Sequence, residues 1–257
     1  MKTALITGAT SGIGEAAAER LASEHYRLII TGRREERLLK VAEYLQTTYR
    51  ADVLPLCFDV CSLEQVRENL GGLPEGWRQV SALVNNAGLA AGLEPLDAGR
   101  PEDWQRMIDT NIKGLLYVTR TIAPLMIARR EGHIINVGSI AGREVYANGN
   151  VYCATKHAVD ALTESMRMEF SPYGIRVSQV APGAVETEFS IVRFKGDRQR
   201  ADAVYQGFRP LKAADIADVI AYMMNCPPHV NIADVLVLPA AQAAATMIHR
   251  AEVSRQS

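Results

Sequence analysis

The chain has 257 residues, a length that a single α/β domain fills. Lys and Arg number 28 against 29 Asp and Glu, for a formal charge of -1, so there is no broad basic field for nucleic acid or a membrane surface, and partners are expected among small molecules and other subunits. Cys57, Cys61, Cys153 and Cys226 are scattered without a metal-like pair or a disulfide framework, which predicts a reducing compartment and no metal.

The N-terminal run in MKTALITG meets glycine too soon for a signal-peptide core, and nowhere does the chain approach the roughly 20 consecutive apolar residues of a membrane span. A soluble, cytoplasmic protein is expected. TALIT is the first of seven short apolar runs, followed by RLIIT, VLPLCF, SALVN, HIINVG, RVSQVA and VLVL. Each is rich in Val, Ile and Leu and continuous rather than alternating, as strands covered on both faces are. Between them lie segments of helical period: GEAAAERLAS, REERLLKVAEYL, DWQRMIDTNIKGLLYVTRTIAPLMI, AVDALTESMRMEF and ADIADVIAYMM. This βαβα order predicts one α/β domain over residues 1–257. The fold expected is a Rossmann fold, a doubly wound parallel sheet of about seven strands with helices on both faces.

The first strand runs into ITGATSGIGEAAAERLA. Gly8, Gly12 and Gly14 set a tight strand-to-helix turn, and the loop from Gly8 through Thr10, Ser11, Gly12 and Ile13 to Gly14 offers backbone amides and a helix N-terminus to a pyrophosphate. Glycines alone also fit a plain structural turn, but strand, glycines and helix in this order favour a dinucleotide. After the second strand, IITGRREERL has Gly32 where an NAD-binding acid would stand, followed by Arg33 and Arg34, whose guanidinium forks suit a 2′-phosphate. NADP(H) is therefore expected over NAD(H), with solvated helix-start arginines as the alternative. CFDV ends the third strand with Asp59, an acceptor for the adenine amino group, beside Val60. LVNNAG ends the fourth with Asn86, Ala87 and Gly88, small or amide residues that leave room for a cofactor or cap a turn.

Farther on, Asn111 in DTNIKG is a polar residue among apolar helical neighbours, and Ser139 follows the strand HIINVG, where its hydroxyl can hold a substrate oxygen. In VYCATKHAVD, Tyr152 and Lys156 stand at i and i+4 on one helix face. A phenol with its ordinary pKa of about 10 is a poor acid at neutral pH, and a neighbouring ammonium favours the phenolate. Together they make a tunable proton donor for a carbonyl that receives hydride. The irregular segment at 184–211 follows a strand end, where lids over a site are found, and the tail at about 240–257 reads as a frayed terminus or an interface.

TGATSGIG, NNAG, Asn111, Ser139 and YCATK, in this order and across nearly the whole chain, resemble the short-chain dehydrogenase/reductase family. The resemblance implies Tyr152 as catalytic acid/base and Lys156 as the group that lowers its pKa and binds the nicotinamide ribose. It implies Ser139 as the residue that orients the carbonyl and Asn111 as the holder of a relay water. APGAVET is similar to the stretch that approaches the carboxamide, which adds Pro182, Gly183, Val185 and Thr187. NNAGLAAGLEP, WQRMIDTNIKGLLYVTR, GNVYCATK, EFSIVRFKGD and PPHVNI are similar to the NADP-dependent 3-hydroxy acid (serine) dehydrogenase branch, to which sulfoacetaldehyde reductases are also similar. That branch implies a homotetramer and a short substrate with an acidic head group. A cation would hold that group, Arg193 or Arg143, with Tyr146 as a hydrogen-bond donor. His249 and Arg250 resemble a branch feature in which the tail reaches another subunit's site.

Two departures bear on the substrate and the cofactor. AGREVY stands in place of the AGxWPY of hydroxy acid dehydrogenases, and the charges of Arg143 and Glu144 tilt the expectation toward a sulfonate, sulfoacetaldehyde reduced to isethionate. Malonate semialdehyde or a 3-hydroxy acid such as serine is the alternative. Ser11 stands where some NADP-dependent relatives carry a base, leaving Arg33 and Arg34 to recognise the phosphate. A non-enzymatic NADP(H)-binding sensor would need neither Tyr152 nor Ser139, and a reductase of bulky acyl thioesters would be expected to carry a basic docking run. Both are the weaker readings.

Overall fold

In the computed structural model, which describes residues 1–251, each of the apolar runs forms a strand. The first half of the chain builds β1 (Thr3–Ile6), α1 (Gly12–Ser23), β2 (Arg27–Gly32), α2 (Glu35–Tyr49), β3 (Val53–Cys57), α3 (Leu63–Gly71), β4 (Val80–Asn85), α4 (Pro101–Ile108) and α5 (Leu115–Arg129). The second adds β5 (Gly132–Val137), α6 (Asn150–Phe170), β6 (Ile175–Pro182), β7 (Val185–Glu186), α7 (Phe189–Arg193), α8 (Arg198–Ala203), β8 (Leu211–Lys212), α9 (Ala213–Asn225) and β9 (Asp234–Val237).

Parallel pairing joins seven of these strands in the order β3-β2-β1-β4-β5-β6-β9. The winding runs outward from β1 in one direction and from β4 in the other, so the helical layers part above the carboxyl ends of this strand pair, which positions the site. Both faces of the sheet are covered, which is why the strands read as continuous apolar runs. Ala4, Ile6, Leu28 and Ile30 pack with Ala17, Leu21, Leu38, Ile216 and Ile220 of α1, α2 and α9. Their chain neighbours Leu5 and Ile29, with Leu83 of β4, face the other layer, against Val66, Leu70, Ile122, Met126 and Met166 of α3, α5 and α6. Burying each large aliphatic side chain fully contributes about 1.5–3 kcal/mol, so a polar residue at either face would be costly.

One difference from the sequence expectation lies between α4 and α5. The helical period runs unbroken through this region, yet Asp109–Gly114 winds as a π-helical turn. Thr110, Asn111 and Gly114 are buried there, and the Asn111 side chain is fully engaged. Its Oδ1 accepts from the Leu89 amide at 2.8 Å, and its Nδ2 donates to Leu89 O at 2.8 Å and Thr155 Oγ1 at 3.0 Å. These bonds to buried groups offset the poorer geometry of a π turn.

The expected lid at 184–211 is more ordered than its sequence suggests. Val185 pairs with Leu211 and Glu186 with Lys212, closing its base, and α7 and α8 lie between. Past β9 the tail folds back through an antiparallel bridge between Gln242 and Ile248. Of the expected tail, residues 252–257 lie outside the described residues. Among the described residues no helix is long and apolar enough to cross a membrane.

Candidate active site

A cleft of about 680 Å³ opens at the carboxyl ends of the strands. Its floor is made where the loops after β1 and β4 are stitched together. Asn86 Nδ2 donates to Thr7 O at 2.9 Å and Gly8 O at 3.1 Å, while Thr7 Oγ1 accepts from the amides of Asn86 and Ala87, both at 3.0 Å. Gly8 holds the left-handed conformation with φ +69°, and a Cβ on Gly14 would lie 2.9 Å from the Gly8 carbonyl carbon. This close approach bares the start of α1, whose N-cap residue Ser11 makes no side-chain capping bond. An uncapped helix N-terminus beside an open, glycine-walled cradle fits a pyrophosphate. Thr10, Ser11, Gly12 and Ile13 line this part of the cleft, and Pro182, Gly183, Val185 and Thr187 face it from the opposite wall.

Arg33 and Arg34 line the cleft just past the carboxyl end of β2. Arg33 pairs with Asp59 at 3.4 Å. Burial pushes the Asp59 carboxyl up, but the Cys61 amide and Arg33 outweigh it and hold the group below its ordinary value. Asp59 and Val60 line the cleft, as do Asn86, Ala87 and Gly88. Arg34 reaches across the glycine loop, donating from Nη2 to Thr10 Oγ1 at 3.0 Å and Ser11 Oγ at 2.8 Å. The residue that sequence reasoning missed here is Glu188, which accepts hydrogen bonds from both Arg34 and Arg37. No local pattern announces a pair separated by so much chain, although Arg37 follows Arg34 at a helical spacing.

At the chemical end, Ser139 follows β5 and Tyr152 and Lys156 project from α6 into the same wall of the cleft. Ser139 Oγ accepts from the Ala141 amide at 3.1 Å, which fixes the hydroxyl at the strand end. Lys156 Nζ donates to Val137 O at 2.9 Å, and burial pushes its ammonium down to about 8. Burial also pushes the Tyr152 phenol up, with Tyr146 adding to the shift while Ser139 and Arg193 oppose it. In the protein alone the net direction is therefore upward, against the lowering expected from Lys156, and the phenol is kept protonated. Asn111 does not line the cleft. It stands behind the pair, tied to Thr155, whose hydroxyl donates to Tyr152 O at 2.8 Å.

Helix α7 brings Arg193 over this pair. The guanidinium carbon lies 5.6 Å from the centroid of the Tyr152 ring, and Phe189 packs against the same ring at 5.6 Å. Arg193 Nε donates to Gly92 O at 3.2 Å and Nη1 to Tyr146 Oη at 3.0 Å. Nη2 is buried and has no partner among the described residues. Arg143, the other candidate cation, is exposed, pairs with Asp234 of β9 and does not line the cleft. Glu144 is likewise turned away, accepting from the Ala245 amide at 2.7 Å. The tail packs on its own chain's lid. Arg250 donates to Val204 O at 3.1 Å and stacks on Phe208, and the His249 amide bonds to Ala241 O at 2.8 Å. Gln242, Ala245 and Ile248 of the tail line the cleft.

A family model described as short chain dehydrogenase matches residues 2–197. The chain is 42% identical over 250 residues to an NADP-dependent 3-hydroxy acid dehydrogenase of Schizosaccharomyces pombe, covering 97% of this chain and 96% of that one. It is 45% identical over 240 residues to sulfoacetaldehyde reductase 2 of Chromohalobacter salexigens, covering 93% and 94%. A solved structure described as the closed form of serine dehydrogenase complexed with NADP+ is similar with a TM-score of 0.91 at 41% identity, over 96% of this chain and 99% of that chain.

Proposed function

The chain belongs to the short-chain dehydrogenase/reductase family, and on that premise we propose that it is an NADP(H)-dependent oxidoreductase that reduces a short aldehyde bearing an anionic head group. The loop from Gly8 to Gly14 and the start of α1 would hold the pyrophosphate, Arg33 and Arg34 the 2′-phosphate, and Asp59 and Val60 the adenine. Asn86, Ala87, Gly88 and the stretch from Pro182 to Thr187 would face the nicotinamide half. NADPH held in this way would supply the hydride for the carbonyl carbon.

The chain's own residues do the rest. Tyr152, held protonated by its burial, donates its proton to the carbonyl oxygen as negative charge builds there, and Ser139 donates a hydrogen bond to the same atom. Lys156 places a buried positive charge behind the phenol and stabilises the phenolate left by the transfer. Asn111 and Thr155 fix the turn of α6 that carries the pair. Because the Asn111 side chain is engaged with Leu89 and Thr155, a relay water would sit on the main chain of the π-helical turn.

One observation carries the head-group assignment: the buried, unpartnered Nη2 of Arg193 beside Tyr152. Leaving a buried charged donor unsatisfied costs roughly 1–3 kcal/mol or more, which an anionic substrate would recover. Arg143 and Glu144 are turned away from the cleft, so they give no preference between sulfonate and carboxylate. Sulfoacetaldehyde and malonate semialdehyde each carry an anion that would pair with Arg193 Nη2. A cytoplasmic homotetramer belongs to the same reading, supported by the exposed Leu116 on α5 and Met168 on α6 and by the free cysteines.

Following NADPH absorbance with sulfoacetaldehyde, malonate semialdehyde, a neutral aldehyde of equal length and an acyl thioester tests this reading, with NADH as the comparison. An acidic aldehyde reduced best, and with NADPH, is the expected outcome. Preference for the neutral aldehyde, the thioester or NADH would contradict it. Tight NADPH binding without turnover of any of them would favour the sensor.

A further inference from the structure

Glu188 is the residue that leads into lid helix α7, the helix on which Arg193 is mounted. Its carboxylate is gripped from the cofactor side. Arg34 Nη1 donates to Oε2 at 2.9 Å, and Arg37 Nη1 donates to Oε1 at 2.7 Å and Oε2 at 2.9 Å. The other end of the Arg34 fork lies on Thr10 and Ser11 of the glycine loop. Arg37 has no further hydrogen-bond partner among the described residues. Arg34, which lines the cleft, and Arg37, one turn farther along α2, are thus clamped by one carboxylate at the start of α7, while Arg33 pairs with Asp59 instead.

We propose that Glu188 is a stand-in for the cofactor's 2′-phosphate: its carboxylate occupies Arg34 and Arg37 until a 2′-phosphate displaces it. The inference rests on the NADP(H) reading above and assigns cofactor discrimination to two further residues, Glu188 and Arg37. Charge sets the direction of the exchange. The carboxylate brings one negative charge, whereas a phosphate monoester brings about 1.5–2 at neutral pH and one more acceptor oxygen. The side chains of Arg34, Arg37 and Glu188 are 42%, 50% and 44% exposed, so the clamp is of the weak, solvent-screened kind. A guanidinium fork on phosphate is the stronger pairing. A 2′-hydroxyl has no charge with which to compete, so NAD(H) leaves the clamp in place. Glu188 therefore acts as a competitor that only a charged 2′-position displaces.

Adenosine 2′,5′-bisphosphate carries this phosphate without a nicotinamide, and 5′-AMP lacks it. Both are titrated by calorimetry against the full chain, Glu188→Gln and Arg37→Gln. Glu188→Gln is expected to bind the bisphosphate about three- to tenfold more tightly, because the competitor has lost its charge. Arg37→Gln is expected to bind it more weakly by a similar factor, and unchanged 5′-AMP binding in both variants shows that the fold is intact. Unchanged or weaker bisphosphate binding by Glu188→Gln overturns the displacement and leaves the NADP(H) reading standing. No bisphosphate binding by any of the three forms overturns both.

Discussion

Replacing Arg193 by Ala should separate acidic from neutral substrates. The guanidinium is positioned by Gly92 O at 3.2 Å and Tyr146 Oη at 3.0 Å, and Nη2 is left without a partner among the described residues. A hydrogen bond to a charged group contributes roughly 1.5–3 kcal/mol, so kcat/KM for an acidic aldehyde should fall about 10- to 150-fold. The loss should appear mainly in KM, since the head group is held alike before and during hydride transfer. The lid should stay docked in the variant, because the Gly92 amide still donates to the residue-193 carbonyl at 3.0 Å and Lys195 still pairs with Asp103 at 2.6 Å. A neutral aldehyde of equal length should therefore keep its kcat/KM to within about twofold. Arg193→Lys retains the charge but not the fork, and should recover only part of the loss. Steady-state kinetics on the matched pair of aldehydes checks this. Equal losses for both would mean that Arg193 only braces the lid, and no loss for the acid would remove it from the substrate site.

Lys156 gives a pH dependence with a definite sign. Burial holds its ammonium down at about 8, so the positive charge behind Tyr152 is present below that pH and lost above it. The kcat/KM for reduction should decline as pH rises through about 8, and a profile flat to about pH 10 would contradict the assignment. The same shift acts on stability. Between about 8 and the ordinary lysine value of 10.5 the unfolded chain binds the proton that the folded chain has released, so this group's contribution to stability should rise across that window, as read from melting curves. Gly14→Ala should damage both fold and cofactor site. Its Cβ would sit 2.9 Å from the Gly8 carbonyl carbon, backbone that cannot swing aside, so a cost of about 1–3 kcal/mol in denaturant melts is expected. Cofactor affinity should drop by at least about tenfold, and unchanged calorimetric binding would refute the close-approach reading of the loop.

Much of this was legible from residue order. Continuous apolar runs showed as sheet strands because both faces of β1, β2 and β4 are covered, and the glycine loop showed because its backbone has to come close to the loop after β4. Tyr152 and Lys156 showed because a helix turns their spacing into a shared face. What stayed hidden depended on long-range partners. The π-helical turn at Asp109–Gly114 is set by hydrogen bonds from Asn111 to Leu89 and Thr155, which no helical period encodes. Arg193 and Arg143 both stand in the sequence as candidate cations, Arg193 ahead of Arg143, and packing puts the first over Tyr152 and the second onto Asp234. The clamp from Glu188 to Arg34 and Arg37 joins chain segments that meet only after folding. The sequence leaves the tail open as a free end or an interface, and the within-chain contacts of its described part, Arg250 to Val204 and the Gln242–Ile248 bridge, have no local signature.

The most direct measurement follows the hydrogen itself. NADPH deuterated at nicotinamide C4 is incubated with sulfoacetaldehyde or malonate semialdehyde and either wild type or Tyr152→Phe, and the product is read by NMR. Deuterium on the new carbinol carbon with wild type, and almost no product from Tyr152→Phe although it still binds NADPH, is the expected result. Product formed by Tyr152→Phe at a near-normal rate, or a carbinol carbon without deuterium, would contradict hydride transfer with Tyr152 as the proton donor.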